Sequence, residues 1–370
     1  MSDSKVAVLK TDPQNVVNDY GKLMDLVQYR QETDPQIETL LKLNLSWSLY
    51  FPSCSSQPWQ VEGVIKKLQN DKFKKITPVE NETVVTNPRK GAKLNKWQAI
   101  FEQYNVEFMP LNEVEWVSYK AKGQISALYE IFGEDGHQIP KMFMGKNVIH
   151  LPTVKCHGHT TTTGAMKNAF GGLITKKRHH CHKKIHEVLV DLLTIQKEIH
   201  PGIFAVMDGT VCGNGAGPRT MIPVDQGYIL ASSDQVAIDA IAAKMMGFDP
   251  LKIEYIRLAH ERGLGCGDVD QIDVVGEVKA KKENFGFSTG KSPVIFWDQM
   301  LRKGSLSAVE PYLFHGPLFN LCVFGSETYH DKLWYPTKGE TIIREFSKTR
   351  WGELFGKYQP KDNEKQGKKE

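Results

Sequence analysis

The sequence lacks most of the short motifs that would assign a chemistry to it. Its six cysteines are scattered over 370 residues and no two form a C-x-x-C pair, so a zinc ribbon, a ferredoxin-type cluster and a thioredoxin motif are unsupported. No stretch approaches the roughly 18 consecutive apolar residues of a spanning helix, and the polar N-terminus has no apolar signal core. We therefore expect a cytoplasmic protein with no membrane partner, no disulfide framework and no iron–sulfur cluster.

Signatures of several enzyme classes are also missing. The glycine-rich stretch CGNGAGP, which follows Asp208, contains neither G-x-G-x-x-G nor G-x-x-x-x-G-K-[ST], so a dinucleotide or P-loop site would rest on glycine content alone. There is no G-x-S-x-G elbow, no kinase signature and no H-E-x-x-H. The chemistry has to be argued from individual polar residues.

The charge of the chain is nearly balanced. Lysine and arginine number 47, aspartate and glutamate 43, and the formal net charge is +4. The basic runs are local, at Lys66 to Lys75 and Lys176 to Lys184, whereas a nucleic-acid-binding protein usually has a stronger basic footprint. We expect no nucleic-acid partner.

Strand-like and helix-like patterns alternate over the first 278 residues. Apolar runs predict strands at Val6–Lys10, Thr39–Leu45, Ile76–Val85, Val148–Val154, Gly202–Asp208 and Tyr228–Ser232. Helical spacing predicts helices at Asn15–Arg30, Trp59–Gln69, Leu94–Tyr104, His182–Ile199, Gln235–Met246 and Pro250–Arg262. This alternation is typical of an α/β core with a mostly parallel sheet flanked by helices. We expect it to form two lobes, about 1–145 and 146–278, with a cleft between them.

The composition changes after residue 278. The segment Lys279 to Thr289 is polar and contains glycine, as a linker does, and Pro293 to Tyr358 is rich in aromatic residues. We expect 279–358 to be a C-terminal extension that acts as a subdomain, a lid or an oligomer contact such as that of a homodimer. The charged tail 359–370 is expected to be disordered.

The most informative stretch runs from Asn147 to Gly172, NVIHLPTVKCHGHTTTTGAMKNAFGG. An apolar run ends there in a cluster of polar residues: Lys155, His157, Thr160, Lys167 and Asn168. Ligand sites of open α/β sheets lie just past strand ends. Two ammonium groups could neutralise a phosphate or carboxylate while His157 transfers a proton or binds a metal. The alternative is a polar loop with a threonine helix cap, and the gathering of charged groups favours a ligand site.

Other polar residues are less specific. His182 lies within the basic run KKRHHCHKKIHE, where the spacing suits a metal but the like charges favour a solvated helix start. Asp208 ends an apolar strand, a position that commonly faces a site. Asp234 precedes a helix and suits an N-cap. Asp239 lies on an apolar helix and, if buried, needs a partner, which leaves structural and functional roles equally open.

These segments, in this order, resemble the protein family called domain of unknown function 362. The resemblance rests on KCHGHTTTTGAMKNAFGG, FAVMDGTVCGNGAGP, LASSDQVAIDAIA and the upstream LKLNLSW and SSQPWQVEGVI, and it covers roughly Val6 to Val278. The family has no assigned activity. Many members carry a ferredoxin-like module, which this chain lacks. Carried over by position, the recurring polar residues of the family are Lys42, Asn44, Lys155, His157, Lys167, Asn168, His182, Asp208, Asp234 and Asp239.

The leading hypothesis is an enzyme that acts on a small anionic metabolite, with or without a divalent metal. His157 and Asp208 are the catalytic candidates, and His157 and His182 are the metal candidates. The residues expected to bind the anion are Lys42, Asn44, Lys155, Thr160, Lys167 and Asn168, with Asp234 and Asp239 in support. The alternative is a non-catalytic protein that binds a metal or metabolite, and the cysteine spacing disfavours a third hypothesis, electron transfer through an iron–sulfur cluster.

Overall fold

The computed structural model describes residues 4–133, 137–302, 304 and 319–359. The strands in these ranges are β1 (Lys5–Lys10), β2 (Thr39–Lys42), β3 (Ile76–Glu80), β4 (Met109–Pro110), β5 (Trp116–Ser118), β6 (Gln138–Pro140), β7 (Asn147–His150), β8 (Thr153–His157), β9 (Thr161–Thr162), β10 (Ile203–Ala216), β11 (Thr220–Ser232) and β12 (Asp273–Gly276).

The α-helices in the same ranges are α1 (Val16–Leu26), α2 (Pro58–Asn70), α3 (Pro88–Leu94), α4 (Trp97–Tyr104), α5 (Ala127–Phe132), α6 (Ala165–Leu173), α7 (Ile185–Ile199), α8 (Gln235–Met246), α9 (Glu254–Glu261), α10 (Pro293–Arg302), α11 (Phe319–Glu327), α12 (Glu340–Phe346) and α13 (Arg350–Lys357). A 3₁₀ segment, Lys176–Lys184, precedes α7, and a π-helical segment, Thr328–Gly339, follows α11.

Ten of the strands form one sheet, whose main path has the order β12-β1-β11-β10-β7-β2-β3-β4. On this path β11 is antiparallel to both of its neighbours, and the remaining pairs are parallel. The predicted α/β class with a mostly parallel sheet is therefore confirmed. Strands from both sides of residue 145 belong to this one sheet.

Helices cover both faces of the sheet, which explains why β2, β3, β7 and β8 are buried along their whole length. The core on one face contains side chains of α1, α2 and α4. The core on the other face contains side chains of α5 to α9. The result is a three-layer arrangement, in which successive side chains of a strand point to opposite cores.

The bounds of several predicted elements differ in the structure, for example β3, which ends at Glu80 rather than Val85, and β11, which begins at Thr220 rather than Tyr228. The apolar run at Val148–Val154 forms two strands, β7 and β8, because the chain is interrupted at Leu151 and Pro152. The glycine-rich stretch CGNGAGP does not begin a loop: most of it continues β10, paired with β11 as far as Ala216. The predicted helix at Leu94–Tyr104 is shorter, since α3 ends at Leu94 and α4 begins at Trp97.

The C-terminal extension packs on the sheet domain. Trp351 of α13 is fully buried, with its ring centroid 5.2 Å from that of Trp59 in α2, and its indole N–H donates to Asp225 at 2.9 Å. Trp334 lies 6.1 Å from Trp47 by ring centroids. Most of the tail expected to be disordered, 360–370, lies outside the described residues. In the ranges that the structure covers, no helix is both long and apolar enough to cross a membrane.

Candidate functional site

The polar residues singled out in the sequence gather where the strand order reverses. After β2 the chain builds β3 and β4 on one side, then returns to place β7 on the other side of β2. In open α/β sheets, ligands bind beyond the carboxyl ends of the strands at such a point. Lys42, the last residue of β2, pairs in register with His150, the last residue of β7.

A cavity of about 580 Å³ opens at this place, within the range of roughly 300–1,000 Å³ usual for small-ligand sites. Six of the predicted site residues line it: Lys42, Asn44, His157, Lys167, Asn168 and His182. A smaller cavity of about 60 Å³ is lined by four of them, Asn44, His157, Lys167 and Asn168, together with Ser46, Thr163 and Gly164. Pro152 and Pro218 complete this lining, so the small cavity is mostly polar, and the two cavities share part of their lining.

Lys42 is held by an ion pair beneath the cavity. Its ammonium group donates to Glu80 at 2.9 Å and to the Leu43 carbonyl at 2.6 Å, and both side chains of the pair are almost fully buried. Burial lowers the pKa of Lys42 and raises that of Glu80. A buried ammonium whose neighbours already accept its protons has little left for a ligand. We therefore assign the Lys42–Glu80 ion pair a structural role: it holds this part of the cavity lining in place.

Lys155 is fully buried behind the cavity rather than in its wall. Its ammonium donates to Asn44 Oδ1, to Thr153 Oγ1 at 2.6 Å and to the Cys54 carbonyl at 2.8 Å. Three acceptors use all three protons of an ammonium group. The structure thus places Lys155 where it orients Asn44, and burial lowers its pKa to about 8.

Lys167 differs from these two lysines. It is half-buried on α6, lines both cavities, and has no hydrogen-bond acceptor for its ammonium among the described residues. Its Nζ lies 5.1 Å from the centroid of the Phe170 ring. Burial, followed by the charges of Lys155 and Arg178, lowers the pKa of Lys167 to about 7. This ammonium needs a countercharge.

His157 ends β8 and is 6% exposed. Its Nδ1 accepts the backbone N–H of His159 at 3.1 Å, so the neutral ring carries its proton on Nε2. Burial and then the charge of Lys167 hold the pKa of His157 well below its usual value. At neutral pH the side chain is therefore an uncharged hydrogen-bond donor.

A second histidine pair lies beside it. The rings of His159 and His182 are 5.1 Å apart by centroids, and His159 Nε2 is 3.3 Å from Asp298 of α10. Burial lowers the pKa of His182 as well. Even so, among the described residues no group of three or more His, Cys, Asp or Glu side chains is arranged to hold a metal ion. The metal assignment of His157 and His182 stays a prediction.

Asn168 joins the site to the sheet. Its side-chain N–H₂ donates to the Lys42 carbonyl at 2.8 Å, while its Oδ1 is buried without a partner in the described part of the chain. A buried amide oxygen without a donor is costly. A hydroxyl or protonated oxygen of a ligand in the adjoining cavity would satisfy it.

Asp208 lies elsewhere. It accepts from Tyr20 at 2.6 Å and from Trp59 at 3.0 Å, and it lines neither cavity. Its alternate neighbours on β10, Phe204 and Val206, belong to the same core as α1 and α2. Burial raises the pKa of Asp208 to about 6. In this conformation the side chain ties α1 and α2 to the sheet.

The remaining predicted residues hold the backbone near the site. Asp239 of α8 accepts the first two N–H groups of α6, Ala165 at 2.6 Å and Met166 at 3.2 Å, and burial raises its pKa to about 8. Asp234 caps α8 as expected. Thr160 is buried and donates to the Thr162 carbonyl at 2.8 Å within the turn before α6.

Three arginines of the cavity wall, Arg178, Arg219 and Arg302, were not predicted as site residues. Arg178 belongs to the 3₁₀ segment and donates to the Glu82 carbonyl at 2.8 Å. Arg219 lies in the turn between β10 and β11 and donates to Ser326 at 3.0 Å. The basic character of the 3₁₀ segment was visible in the sequence. Its folding over the site was not, because that depends on contacts with residues nearly 100 positions earlier.

Comparisons with known proteins agree with the resemblance seen in the sequence. A model of the family described as domain of unknown function (DUF362) matches residues 39–244, more than half of the chain. The thylakoid-associated protein sll1697 of Synechocystis sp. is 30% identical over 124 residues, which are 32% of this chain and 37% of that protein. The match thus spans little more than a third of that relative. No solved structure matches the chain. The chain belongs to the DUF362 family.

Proposed function

We propose that this protein binds a small metabolite bearing a phosphate or carboxylate group, in the cavity at the switch point of the sheet. The observation that carries the proposal is the Lys167 ammonium, which lines both cavities without a hydrogen-bond acceptor in the described ranges. The charged groups that affect its pKa are two other cations, Lys155 and Arg178. An anion would supply the missing countercharge and acceptor.

Neutral groups around Lys167 suit the same ligand. The Nε2–H tautomer of His157 is a donor, as the hydrogen bond at its Nδ1 requires. Asn44, held by Lys155, and Ser46 add polar atoms to the small cavity. At about 60 Å³ this cavity has space for about four water molecules, or for one small anionic group in their place.

A second candidate is an enzyme that acts on the bound anion, and the pKa of about 7 for Lys167 favours it. A general acid or base works best when its pKa is close to the operating pH. Lys167 then takes the proton-transfer role that the sequence suggested for His157, whose pKa is far lower. Asp208 has no part in this version, because it lies in the opposite core.

The test is binding of inorganic phosphate, glycerol phosphate and citrate measured by titration calorimetry. We expect at least one to bind, and Lys167→Ala to weaken it roughly tenfold or more, the cost of losing one charged hydrogen bond. The matched control is Lys252→Ala, because the Lys252 side chain is 85% exposed and is not part of the cavity lining. Unchanged affinity in Lys167→Ala, or no binding by the unsubstituted protein, would refute the proposal.

A further inference from the structure

The large cavity has two chemically different ends. The end next to α6 is polar and contains Lys167, His157 and Asn168. Another part of the lining comes from α10 and α11, where Asp298 and Arg302 form an ion pair and most of the remaining side chains are apolar. The apolar side chains are Val294, Ile295, Trp297, Leu301, Phe319 and Val323. A ligand that is anionic throughout would leave this apolar wall in contact with water.

Helix α10 lies directly on the polar end. Gln299 donates to the Gly158 carbonyl at 2.7 Å, and Asp298 is 3.3 Å from His159. Ile295 fills the space that a side chain on Gly158 would take, since a Cβ built there would be only 2.6 Å from the Ile295 side chain. The apolar wall is therefore continuous with the turn that carries His157.

Helix α11 is joined to the same cavity by a ring contact. The rings of Phe319 and His179 are stacked with centroids 3.8 Å apart and planes within 15°. Arg219, at the far side of the wall, donates to Ser326 of α11. Helices α10 and α11 of the extension thus both contact segments of the sheet domain around one half-open cavity.

We infer that the ligand is an amphiphilic anion, with a phosphate or carboxylate head at the α6 end and an apolar body against α10 and α11. This inference rests on the proposed function, because it takes the head-group site from it. It adds the class of the body: an aliphatic or aromatic group of a size that a cavity of about 580 Å³ can enclose. Burying such a body contributes affinity in proportion to the apolar area removed from water.

The inferred head-group and body sites lie in different parts of the sequence with respect to the family match. Residues 39–244 match the family and contain Lys167, His157 and Asn168. The apolar wall comes from residues 293–302 and 319–327, outside that match. The head group is thus recognised by the family region, whereas the body is recognised by a part of the chain that the family model does not include.

The test compares inorganic phosphate with butyl, hexyl and octyl phosphate, each kept below its micelle concentration, by titration calorimetry on the full chain. We expect affinity to rise roughly two- to fourfold for each added methylene and to level off when the wall is covered. Octanol serves as the control without a head group, and it should bind far more weakly than octyl phosphate.

Two sets of substitutions separate the head from the body. Leu301→Asn with Val323→Thr changes polarity at nearly constant volume on the apolar wall, and it should remove the chain-length gain while leaving the affinity for inorganic phosphate unchanged. Leu333→Asn is the matched control, since Leu333 is 57% exposed and outside the cavity lining. Lys167→Ala should weaken every phosphate in the series.

The outcomes distinguish the two proposals. If octyl phosphate binds no tighter than inorganic phosphate, the amphiphile inference is wrong and the anion site stands. If the chain-length gain survives the Leu301 and Val323 substitutions, the body does not lie against this wall and the inference is again wrong. If neither the phosphates nor citrate bind, both proposals fail together; if citrate alone binds, the anion site stands and the inference of an alkyl phosphate ligand is wrong.

Discussion

Lys167 carries an ammonium group in surroundings that oppose its charge. Burial and the cations Lys155 and Arg178 lower its pKa to about 7, so the free protein holds this group about half-protonated at neutral pH. A bound anion favours the charged form and raises the pKa again. Binding therefore takes up a proton whenever the pH lies above the pKa of the free lysine, and affinity is linked to pH.

We predict that the affinity for sulfate is level below about pH 6 and falls by up to tenfold per unit above about pH 7. Sulfate keeps its charge across this range, so the change belongs to the protein. Calorimetry in buffers of different ionisation enthalpy should show that close to one proton is taken up per sulfate bound at the upper end of the pH range. Lys167→Arg, which stays charged, should bind sulfate with a shallower pH dependence between pH 6 and 9, and the remaining slope should come from Lys155, whose pKa is about 8. A slope equal to that of the unsubstituted protein would assign the whole titration to a group other than Lys167.

Residue roles were the part of the site least accessible to sequence reasoning. Lys155 and Lys167 belong to the same polar stretch of the sequence, yet one donates to three protein acceptors and the other to none in the described chain. Asp208 stands at a strand position that often faces a site, but side chains alternate along β10 and this one points to the α1 and α2 core. A strand's register decides such roles, and it is set by partners distant in sequence.

At the scale of elements, the predictions succeeded where the pattern is local. Helix α8 runs from Gln235 to Met246 as expected, because its apolar spacing and the Asp234 cap are both encoded within the helix. The extent of β10 was underestimated, since its second half is stabilised by β11 rather than by its own apolar run. The path of the 3₁₀ segment over the cavity depends on similarly distant contacts, such as that of Arg178 with the Glu82 carbonyl.

The close packing of helix α10 against Gly158 can be tested by substitution. A Cβ at Gly158 would lie 2.6 and 2.8 Å from Ile295 Cγ2 and Cδ1, so Gly158→Ala must push α10 away or distort the turn at a cost of roughly 1–3 kcal/mol. We predict faster amide hydrogen exchange throughout α10 in this variant. Adding Ile295→Ala should restore slow exchange, because it removes the methyl groups that collide.

Gly356→Ala is the matched control, since a Cβ there would have no atom within 4 Å. It should leave the exchange of α10 unchanged. If Gly158→Ala also left it unchanged, α10 would be held by its polar contacts, Gln299 to the Gly158 carbonyl and Asp298 to His159, and not by this packing.

At the scale of the whole molecule, the extension is part of the same packed body as the sheet. Phe346 and Trp351 belong to the core formed with α1, α2 and α4. Trp334 packs with Trp47 and Phe51 in a third, smaller core. The boundary expected near residue 278 therefore separates a family-like region from an extension in sequence, while apolar contacts cross it in space.

These contacts predict that the sheet domain and the extension unfold together. Trp351 is fully buried, its ring centroid lies 5.2 Å from that of Trp59, and its indole N–H donates to Asp225. Trp351→Ala should therefore lower the free energy of unfolding by about 3–5 kcal/mol. In urea, far-UV circular dichroism should show one transition, shifted to lower denaturant concentration. Val278→Ala, at a side chain that is 62% exposed and outside the cavity lining, should change the free energy by less than about 0.5 kcal/mol.

Hydrogen exchange at β7, in the middle of the sheet and far from α13 in sequence, decides between cooperative and separate unfolding. If the extension and the sheet are one cooperative unit, Trp351→Ala accelerates exchange at β7 by the same free energy that the urea experiment measures. If β7 keeps its protection while α13 loses it, the extension is an independent domain. In that case the apolar wall of the cavity could open without unfolding the sheet, and a ligand enclosed between the two would stabilise their association.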